Sequence, residues 1–255
     1  MADIPAVLAQ PFIPIAHRGG SLYPANIGHE NTLQAFQAAA DEGFRYFETD
    51  VHVTKDGVLV AFHDSAVDRM TASSGNIAEY DYAELRKIPV DGHYSVPTMA
   101  ELLAAFPDAF FNIDLKAAGT PAALAKVIQD TAAHDRVLVT SFSLRRLREF
   151  RRRIDRRVAQ GAGVWVVAAQ LVCFRLGIAI RLSPAVALQV PLRFGPLTVL
   201  TPRFIASAHR AGLKIHVWTI DDPAEMRRLI ELGVDGILSD RIDVLKEVCV
   251  ERGLW

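Results

Sequence analysis

The chain has 255 residues, of which 51% are hydrophobic, and its formal net charge at neutral pH is -1. This length allows one large barrel or two small domains, and the apolar fraction is sufficient for a large core. A net charge near zero gives no electrostatic footprint for nucleic acid, so nucleic acid is excluded as the expected partner.

One sequence pattern recurs along the chain: a short apolar strand, a polar junction and then an amphipathic helix. We predict strands at 13–17, 44–53, 110–116, 137–141, 157–160, 187–191, 214–219 and 236–239. We predict helices at 31–41, 99–105, 121–133, 144–153, 202–211, 223–232 and 241–250. Eight strands in this repeating pattern predict an α/β fold, a single (β/α)₈ TIM barrel over residues 1–255, with a small insertion at 65–96 between strand 2 and helix 2. A doubly wound open sheet is the competing fold, but no GxGxxG motif follows the first strand.

The stretch FRYFETDVHVTKDGVLVAFHD, residues 44–64, carries the clearest chemical signal. Its first half alternates as a strand does, so Glu48 and Asp50 share one face. The turn signal at 55–57 and the apolar run at 58–62 then bring His63 back towards them. Two carboxylates on one strand face present oxygen ligands for a hard cation. The alternative interpretation is a strand with a solvated acidic face.

Polar side chains recur where the predicted strands end, which is where a barrel enzyme places its active site. They are His17, Arg18, Glu48, Asp50, Asp114, Lys116, Gln160, Gln189 and Trp218. Burying so many polar groups without a ligand or partner is costly. The set predicts a site for a cation and a phosphate, and Trp218 is expected to wall the substrate pocket.

Seven motifs together resemble the glycerophosphodiester phosphodiesterase family. They are HRGG at 17–20, ENT at 30–32, ETDVHVTKDG at 48–57, FHD at 62–64, NIDLK at 112–116, VWT at 217–219 and GILSD at 236–240. The resemblance implies a TIM barrel that hydrolyses a glycerophosphodiester to glycerol 3-phosphate and an alcohol. It implies that His17 and His63 are the acid–base pair. It also implies one divalent cation, Mg²⁺ or Ca²⁺, bound by Glu48, Asp50 and Asp114.

The same resemblance implies that Arg18 and Lys116 bind phosphate oxygens, and we add Gln189 and Trp218 as substrate-binding residues. Asp114 stands where the family often has glutamate, so its side chain is one methylene shorter. The motifs at 17–21 and 50–57 also resemble branches that cleave lysophospholipids, which makes lysophospholipase D an alternative. A non-catalytic protein that binds lipid head groups or membranes is the alternative of another class.

Three further polar residues lie near these motifs. Glu30 is expected to pair with Arg18 or, with Asn31, to cap the first helix. His52 lies beyond the two acids on the same strand face and is expected to support the site by hydrogen bonding. Asp240 follows the last strand and is expected to be the N-cap of the last helix.

Residues 164–182, VWVVAAQLVCFRLGIAIRL, are apolar except for Gln170, Arg175, Gly177 and Arg181. A membrane span would need about 20 apolar residues without such central charges. Three interpretations stay open: a span, a buried barrel helix and an element that contacts lipid. An arginine-rich run at 145–157 precedes the segment, so peripheral membrane contact through 164–182 is a partner hypothesis beside the small-molecule diester or lysolipid.

The expected compartment is the cytoplasm. The N-terminal stretch MADIPAVLAQPFIP lacks a basic region followed by a long apolar run, so we expect no signal peptide. The only two cysteines, Cys173 and Cys249, have no metal-type spacing, and both are expected to be buried thiols in a reducing compartment.

Overall fold

The computed structural model of the chain describes residues 5–194 and 197–255. Its strands are β1 (Ile13–His17), β2 (Tyr46–Val53), β3 (Leu59–Ala61), β4 (Phe110–Leu115), β5 (Val137–Thr140), β6 (Ala159–Gln160), β7 (Ala187–Val190), β8 (Arg193–Phe194), β9 (Leu197–Thr198), β10 (Lys214–Val217) and β11 (Gly236–Ser239). Its α-helices are α1 (Leu33–Asp41), α2 (Tyr82–Leu85), α3 (Met99–Ala105), α4 (Thr120–Asp130), α5 (Leu144–Arg153), α6 (Val164–Arg175), α7 (Pro202–Arg210), α8 (Pro223–Leu232) and α9 (Ile242–Glu251). Short 3-10 helices lie at Ala6–Leu8, Ile77–Glu79 and His134–Arg136.

Eight of the strands in these two ranges form a nearly closed barrel. They run parallel in the order β6-β5-β4-β2-β1-β11-β10-β7. The two ends of the sheet meet through backbone hydrogen bonds: Ala162 donates to the carbonyl of Ala187 at 3.0 Å, and Val186 donates to that of Gln160 at 2.8 Å. Helices connect the parallel strands and pack against them from outside, so the predicted TIM barrel is confirmed.

Alternation along β2 decides which side chains face the barrel interior. Phe47 and Val51 belong to the main core, which lies between the strands and the helices. Tyr46 instead joins the interior cluster with Ile13 and Ile15, which the 3-10 helix Ala6–Leu8 covers at the start of the strands. Because Glu48 and Asp50 are two and four residues beyond Tyr46, they also point into the barrel, towards its other end.

The predicted hairpin and insertion follow β2. β3 pairs with β2 in antiparallel fashion, with Val51 opposite Ala61. Residues 65–96 then form an insertion that packs on β3 through a small core of its own, made of Val60, Phe62, Val67, Ile77, Leu85, Val90 and Val96.

Some elements differ from the prediction. β6 has only two residues, because the exposed Arg157 and the following Val158 do not pair with a neighbouring strand. The short antiparallel hairpin of β8 and β9 was not predicted. The helix in the apolar segment 164–182 ends at Arg175, ahead of Gly177, whose φ of 79° lies in the region that glycine adopts most easily. None of the described helices is long and apolar enough to cross a membrane.

His216 on β10 lies inside the barrel and is 1% exposed. Its Nδ1 faces the side-chain amide of Gln189 at 3.5 Å, and no described group hydrogen-bonds its Nε2. Burial lowers the pKa of His216 from 6.5 to about 4, since an imidazolium is poorly solvated there.

We therefore expect acid to destabilise the fold through His216. As the pH falls from 6.5 to 4, the unfolded chain binds a proton that the folded chain does not, so the free energy of unfolding should decrease by about 3 kcal/mol from this group. Urea unfolding between pH 8 and pH 4 should show a smaller decrease for His216→Leu than for the wild type. The exposed His93, changed to Gln, is the control. Equal slopes for wild type and His216→Leu would contradict the prediction.

Candidate active site

One cavity of about 420 Å³ opens at the C-terminal ends of the barrel strands. Nine of the sequence-predicted site residues line it: His17, Arg18, Glu48, Asp50, His63, Asp114, Lys116, Gln189 and Trp218. Gln160, which also ends a predicted strand, is absent from the lining, and its side-chain oxygen accepts hydrogen bonds from Arg151 at 2.7 and 3.2 Å.

Strand register brings the acidic residues and His17 together. In the pairing of β1 with β2, His17 stands beside Glu48, and in the pairing of β2 with β4, Asp50 stands beside Asp114. Adjacent residues of paired strands point to the same face of a sheet. The three carboxylates and His17 are therefore neighbours, although they lie far apart along the chain.

Two cations contact these buried acids. The Lys116 ammonium lies 2.8 Å from Asp50 Oδ1 and 2.9 Å from Asp114 Oδ2. The Arg18 guanidinium Nε lies 3.4 Å from Asp50 Oδ2, and the Arg18 backbone N–H donates to Glu48 Oε2 at 3.2 Å. The residues predicted to bind phosphate thus offset carboxylate charge in the structure. Burial alone would lower the pKa of Lys116, but Asp50 and Asp114 outweigh burial and leave this pKa above its usual value.

The acidic cluster has properties that suit a hard cation. Asp50 Oδ2 and Asp114 Oδ1 are buried and have no hydrogen-bond partner among the described atoms. Burial, reinforced by Asp50, raises the pKa of Glu48 to about 8, and burial also raises the pKa of Asp114. Their ionised forms are therefore costly without a further positive charge. Oxygen donors of this kind are those that Mg²⁺ and Ca²⁺ prefer.

In the part of the chain that the structure describes, no three His, Cys, Asp or Glu side chains are grouped closely enough to hold an ion as they stand. The Lys116 ammonium lies between Asp50 and Asp114 and contacts one oxygen of each. Binding of a cation by this cluster would therefore require these side chains, Lys116 included, to rearrange.

Each predicted catalytic histidine is held by an aspartate. His17 Nδ1 lies 2.7 Å from Asp240 Oδ1, and His63 Nδ1 lies 2.6 Å from Asp64 Oδ1. Such a contact fixes the ring and favours the tautomer with its proton on Nδ1. His17 Nε2 lies 3.7 Å from Glu48 Oε2. Burial alone would lower the pKa of His17, but the charges of Glu48 and Asp240 outweigh burial and raise it.

The backbone of His63 is held as well. His52, expected to support the site, has Nε2 3.1 Å from the His63 carbonyl oxygen, to which it can donate. Burial lowers the pKa of His52, which favours its neutral form.

The prediction that Asp240 caps the last helix was wrong. The N-cap of α9 is Arg241. Asp240 instead accepts from the Ser21 hydroxyl at 2.6 Å as well as contacting His17. Its own backbone N–H donates to Asp221 Oδ1 at 2.8 Å, which helps to fix the turn after β11.

Glu30 links the phosphate-binding candidate Arg18 to the insertion. Its Oε1 accepts from Arg18 Nη1 at 3.0 Å and from Arg69 Nη2 at 2.6 Å, while Thr32 rather than Glu30 caps α1. Arg69 Nε also donates to Asp64 Oδ2 at 2.5 Å. Arg69 therefore joins the partners of Arg18 and His63. Sequence reasoning missed it, because it lies in an insertion without a periodic pattern.

The opposite wall of the cavity is apolar. α6 contributes Val164, Val167, Ala168 and Leu171. Trp218 packs edge-on against Phe142 with the ring centres 5.8 Å apart, and the Lys116 ammonium lies 5.8 Å from the centre of the Phe142 ring. The cavity thus joins a charged end, which suits a phosphate group, to a wall that suits an apolar substituent.

Comparisons with known proteins agree with this geometry. Residues 17–244 match the model of the glycerophosphoryl diester phosphodiesterase family. A Mycobacterium tuberculosis (strain H37Rv) protein named "Probable glycerophosphodiester phosphodiesterase 2" is 40% identical over 95% of this chain and 92% of its own length.

Solved structures show the same fold. A glycerophosphodiester phosphodiesterase from Agrobacterium tumefaciens is 24% identical with a TM-score of 0.74, covering 92% of this chain and 99% of its own. A phosphodiesterase from Oleispira antarctica, solved with its product sn-glycerol-3-phosphate, is 24% identical with a TM-score of 0.77, covering 93% and 96%.

The family match favours an enzyme over a non-catalytic lipid-binding protein. It spans most of the chain and includes the strand ends that carry the charged cavity. The chain therefore belongs to the glycerophosphoryl diester phosphodiesterase family and is a hydrolase of phosphoric diesters.

Proposed function

We propose that this hydrolase cleaves a glycerophosphodiester to glycerol 3-phosphate and an alcohol by acid–base catalysis with two histidines. The observation that carries the proposal is that His17 and His63, each in contact with a carboxylate, share one cavity with three buried acids. The 40% identity to the mycobacterial relative supports the substrate class, and so does the product bound to the Oleispira structure.

Glu48, Asp50 and Asp114 would hold one divalent cation, Mg²⁺ or Ca²⁺. When bound, the ion would offset the negative charge of the phosphodiester and stabilise the charge that builds on its oxygens. Asp50 Oδ2 and Asp114 Oδ1 support this role, because no described group hydrogen-bonds either oxygen.

Arg18 and Lys116 bind the phosphate oxygens in this proposal. The guanidinium of Arg18 offers a planar fork of donors, and the ammonium of Lys116 offers a compact charge. Gln189 and Trp218 lie on the same cavity. Gln189 provides an amide for polar groups of the substrate, and Trp218 provides a flat surface for its apolar parts.

The histidines move the protons. One imidazole removes a proton from the nucleophile, which is water or a neighbouring hydroxyl of the substrate, and the other gives a proton to the leaving alcohol oxygen. Asp240 and Asp64 hold the two rings through Nδ1, so Nε2 is the nitrogen that exchanges the proton.

Lysophospholipase D activity is the second candidate, and the apolar wall formed by α6 favours it. An acyl chain attached to the glycerol phosphate could lie along Val164, Val167 and Leu171. The reacting phosphodiester would be the same in both candidates. The two differ in product, which is glycerol 3-phosphate for a soluble diester and a lysophosphatidic acid for a lysolipid.

A substrate panel tests both candidates. We expect glycerophosphocholine and glycerophosphoethanolamine to release glycerol 3-phosphate, measured enzymatically, and to do so faster than lysophosphatidylcholine releases choline. Purified His17→Ala protein controls for a contaminating hydrolase. Turnover of none of these diesters would contradict the proposal, and faster turnover of the lysolipid would favour the second candidate.

Ala168 allows a sharper comparison, since it lines the cavity on α6 while the neighbouring exposed Ala169 does not. Ala168→Phe would narrow the apolar wall. If lysolipid is a substrate, this change should lower its kcat/KM about tenfold or more, as loss of a well-filled apolar contact does, with Ala169→Phe as the matched control.

We also infer that residues 1–255 act as one catalytic domain in a reducing compartment, the cytoplasm. The family match runs through both sides of the insertion at 65–96. Cys249 is buried, Cys173 is half-buried, and neither forms a disulfide.

A further inference from the structure

The segment 164–182 exposes apolar side chains as well as lining the cavity. Trp165 is 76% exposed and Leu176 is 65% exposed. Together with four more exposed residues they form what we call the 164–182 surface: Trp165, Val172, Leu176, Ile178, Ile180 and Leu182. Of the three interpretations that the sequence left open, a wholly buried barrel helix does not fit this exposure.

The surface is an ordered part of the fold. After α6 the chain turns back along the helix, and the side chain of Gln170 holds it there. The Gln170 amide N–H donates to the carbonyl of Ile180, and its oxygen accepts from the backbone N–H of Leu182 at 3.2 Å. Gln170 is 1% exposed. The apolar side chains of 176–182 are therefore held beside those of α6.

The stretch of sequence that contains this surface carries charge of one sign. From 156 to 220 the sequence has no aspartate or glutamate but has eight arginines and lysines, in a chain whose net charge is -1. Exposed Arg175 donates to the carbonyl of Thr198 at 2.5 Å, and the Arg203 guanidinium lies against Gly177. Burial and the nearby positive charge of Arg157 both lower the pKa of Arg181. Arginine guanidinium groups therefore lie within and beside the 164–182 surface.

We propose that the 164–182 surface binds the face of an anionic lipid bilayer. Exposed apolar side chains gain free energy by entering the boundary between head groups and acyl chains, and tryptophan is favoured at that depth. Arginines around them are attracted to anionic head groups. No aspartate or glutamate within 156–220 adds repulsion from such a membrane.

The 164–182 surface adjoins the cavity, so membrane binding would affect where the cavity lies. α6 carries the exposed Trp165 and Val172, and it also carries Val164, Val167 and Leu171 of the cavity wall. Membrane binding would therefore place the apolar wall of the cavity beside the bilayer. Because the proposal concerns membrane binding, its test does not depend on which diester the enzyme cleaves.

Vesicle co-sedimentation tests the proposal with two lipid compositions, phosphatidylcholine alone and phosphatidylcholine mixed with phosphatidylglycerol. We expect the full chain to bind the anionic vesicles at about 0.05 M salt and to bind them more weakly at about 0.5 M salt, where charges are screened. Arg175→Gln should weaken binding about fivefold. Bound protein should show blue-shifted tryptophan fluorescence, and Trp165→Phe should remove most of that shift.

The chain offers matched controls. Val250 on α9 is 56% exposed, close to the 59% of Val172 on α6. Val172→Ser should weaken vesicle binding at least threefold, and Val250→Ser should not. Arg45 is exposed at the opposite end of the barrel, just before β2, so Arg45→Gln is the control for Arg175→Gln. Circular dichroism checks that each variant is folded.

Three results would overturn the proposal. One is the absence of binding to anionic vesicles at low salt. Another is equal loss of binding for the control variants and the surface variants. The third is a protein that does not bind vesicles but forms a dimer in sedimentation equilibrium, with Val172→Ser dissociating that dimer. A second copy of the chain would then cover the surface.

Discussion

His17→Ala and His63→Ala should each lower kcat by about 10²-fold or more, with a smaller change in KM. Each histidine is held by an aspartate at the charged end of the cavity, and loss of a general acid or base costs about this factor. Steady-state kinetics on the preferred diester from the panel, over the full pH range, provides the measurement. His93→Ala, at an exposed histidine outside the cavity, is the control.

The choice of leaving group in the substrate can show which histidine is the general acid and which is the general base. A diester with a more acidic leaving alcohol needs less protonation as it departs. Such a substrate should restore part of the activity of the variant that lacks the acid and little of the activity of the other. Near-normal turnover by either alanine variant across the pH range would show that its histidine has no acid–base role.

Removal of divalent metal should lower turnover by about 10³-fold, since a metal ion can supply several kcal/mol of transition-state stabilisation. Added Mg²⁺ or Ca²⁺ should restore the activity, and the more effective ion identifies the cofactor. Isothermal titration of the substrate-free protein provides a readout that does not depend on turnover. Asp50→Asn and Asp114→Asn should each weaken ion binding about tenfold or more, because each removes a charged oxygen donor.

Asp108 is the matched control for these two variants, because it is an exposed aspartate just before β4, away from the cavity. Asp108→Asn should bind the ion as the wild type does. Full activity after exhaustive chelation, together with no heat of ion binding, would rule out the proposed metal site.

The barrel could be predicted from the sequence because its units repeat, and each unit combines a short apolar strand with an amphipathic helix. Local pattern also placed Glu48 and Asp50 on the inner face of β2, as observed. The short β6 and the hairpin of β8 and β9 could not be predicted in this way. Two-residue strands carry no measurable alternation, and their pairing depends on where the rest of the barrel closes.

The residues of the candidate site also differ in whether the sequence could predict them. Residues at strand ends were predictable, because parallel strands of a barrel bring their C-terminal ends together. The contact between Asp240 and His17 was not, because it spans 223 positions and exists only where β11 pairs with β1. The Arg69 contacts with Glu30 and Asp64 depend on how the insertion folds, and its sequence has no periodicity from which to infer that.

The position of Lys116 bears on whether folding of the barrel depends on a supply of metal. Its ammonium contacts both Asp50 and Asp114, so part of the buried negative charge is neutralised by the polypeptide itself. Small zinc domains, by contrast, are unfolded until they acquire their ion. We therefore expect the barrel to fold without the ion. If turnover needs the proposed ion, scarcity of that ion would leave the enzyme inactive but folded, and so protected from proteolysis, until the ion is supplied.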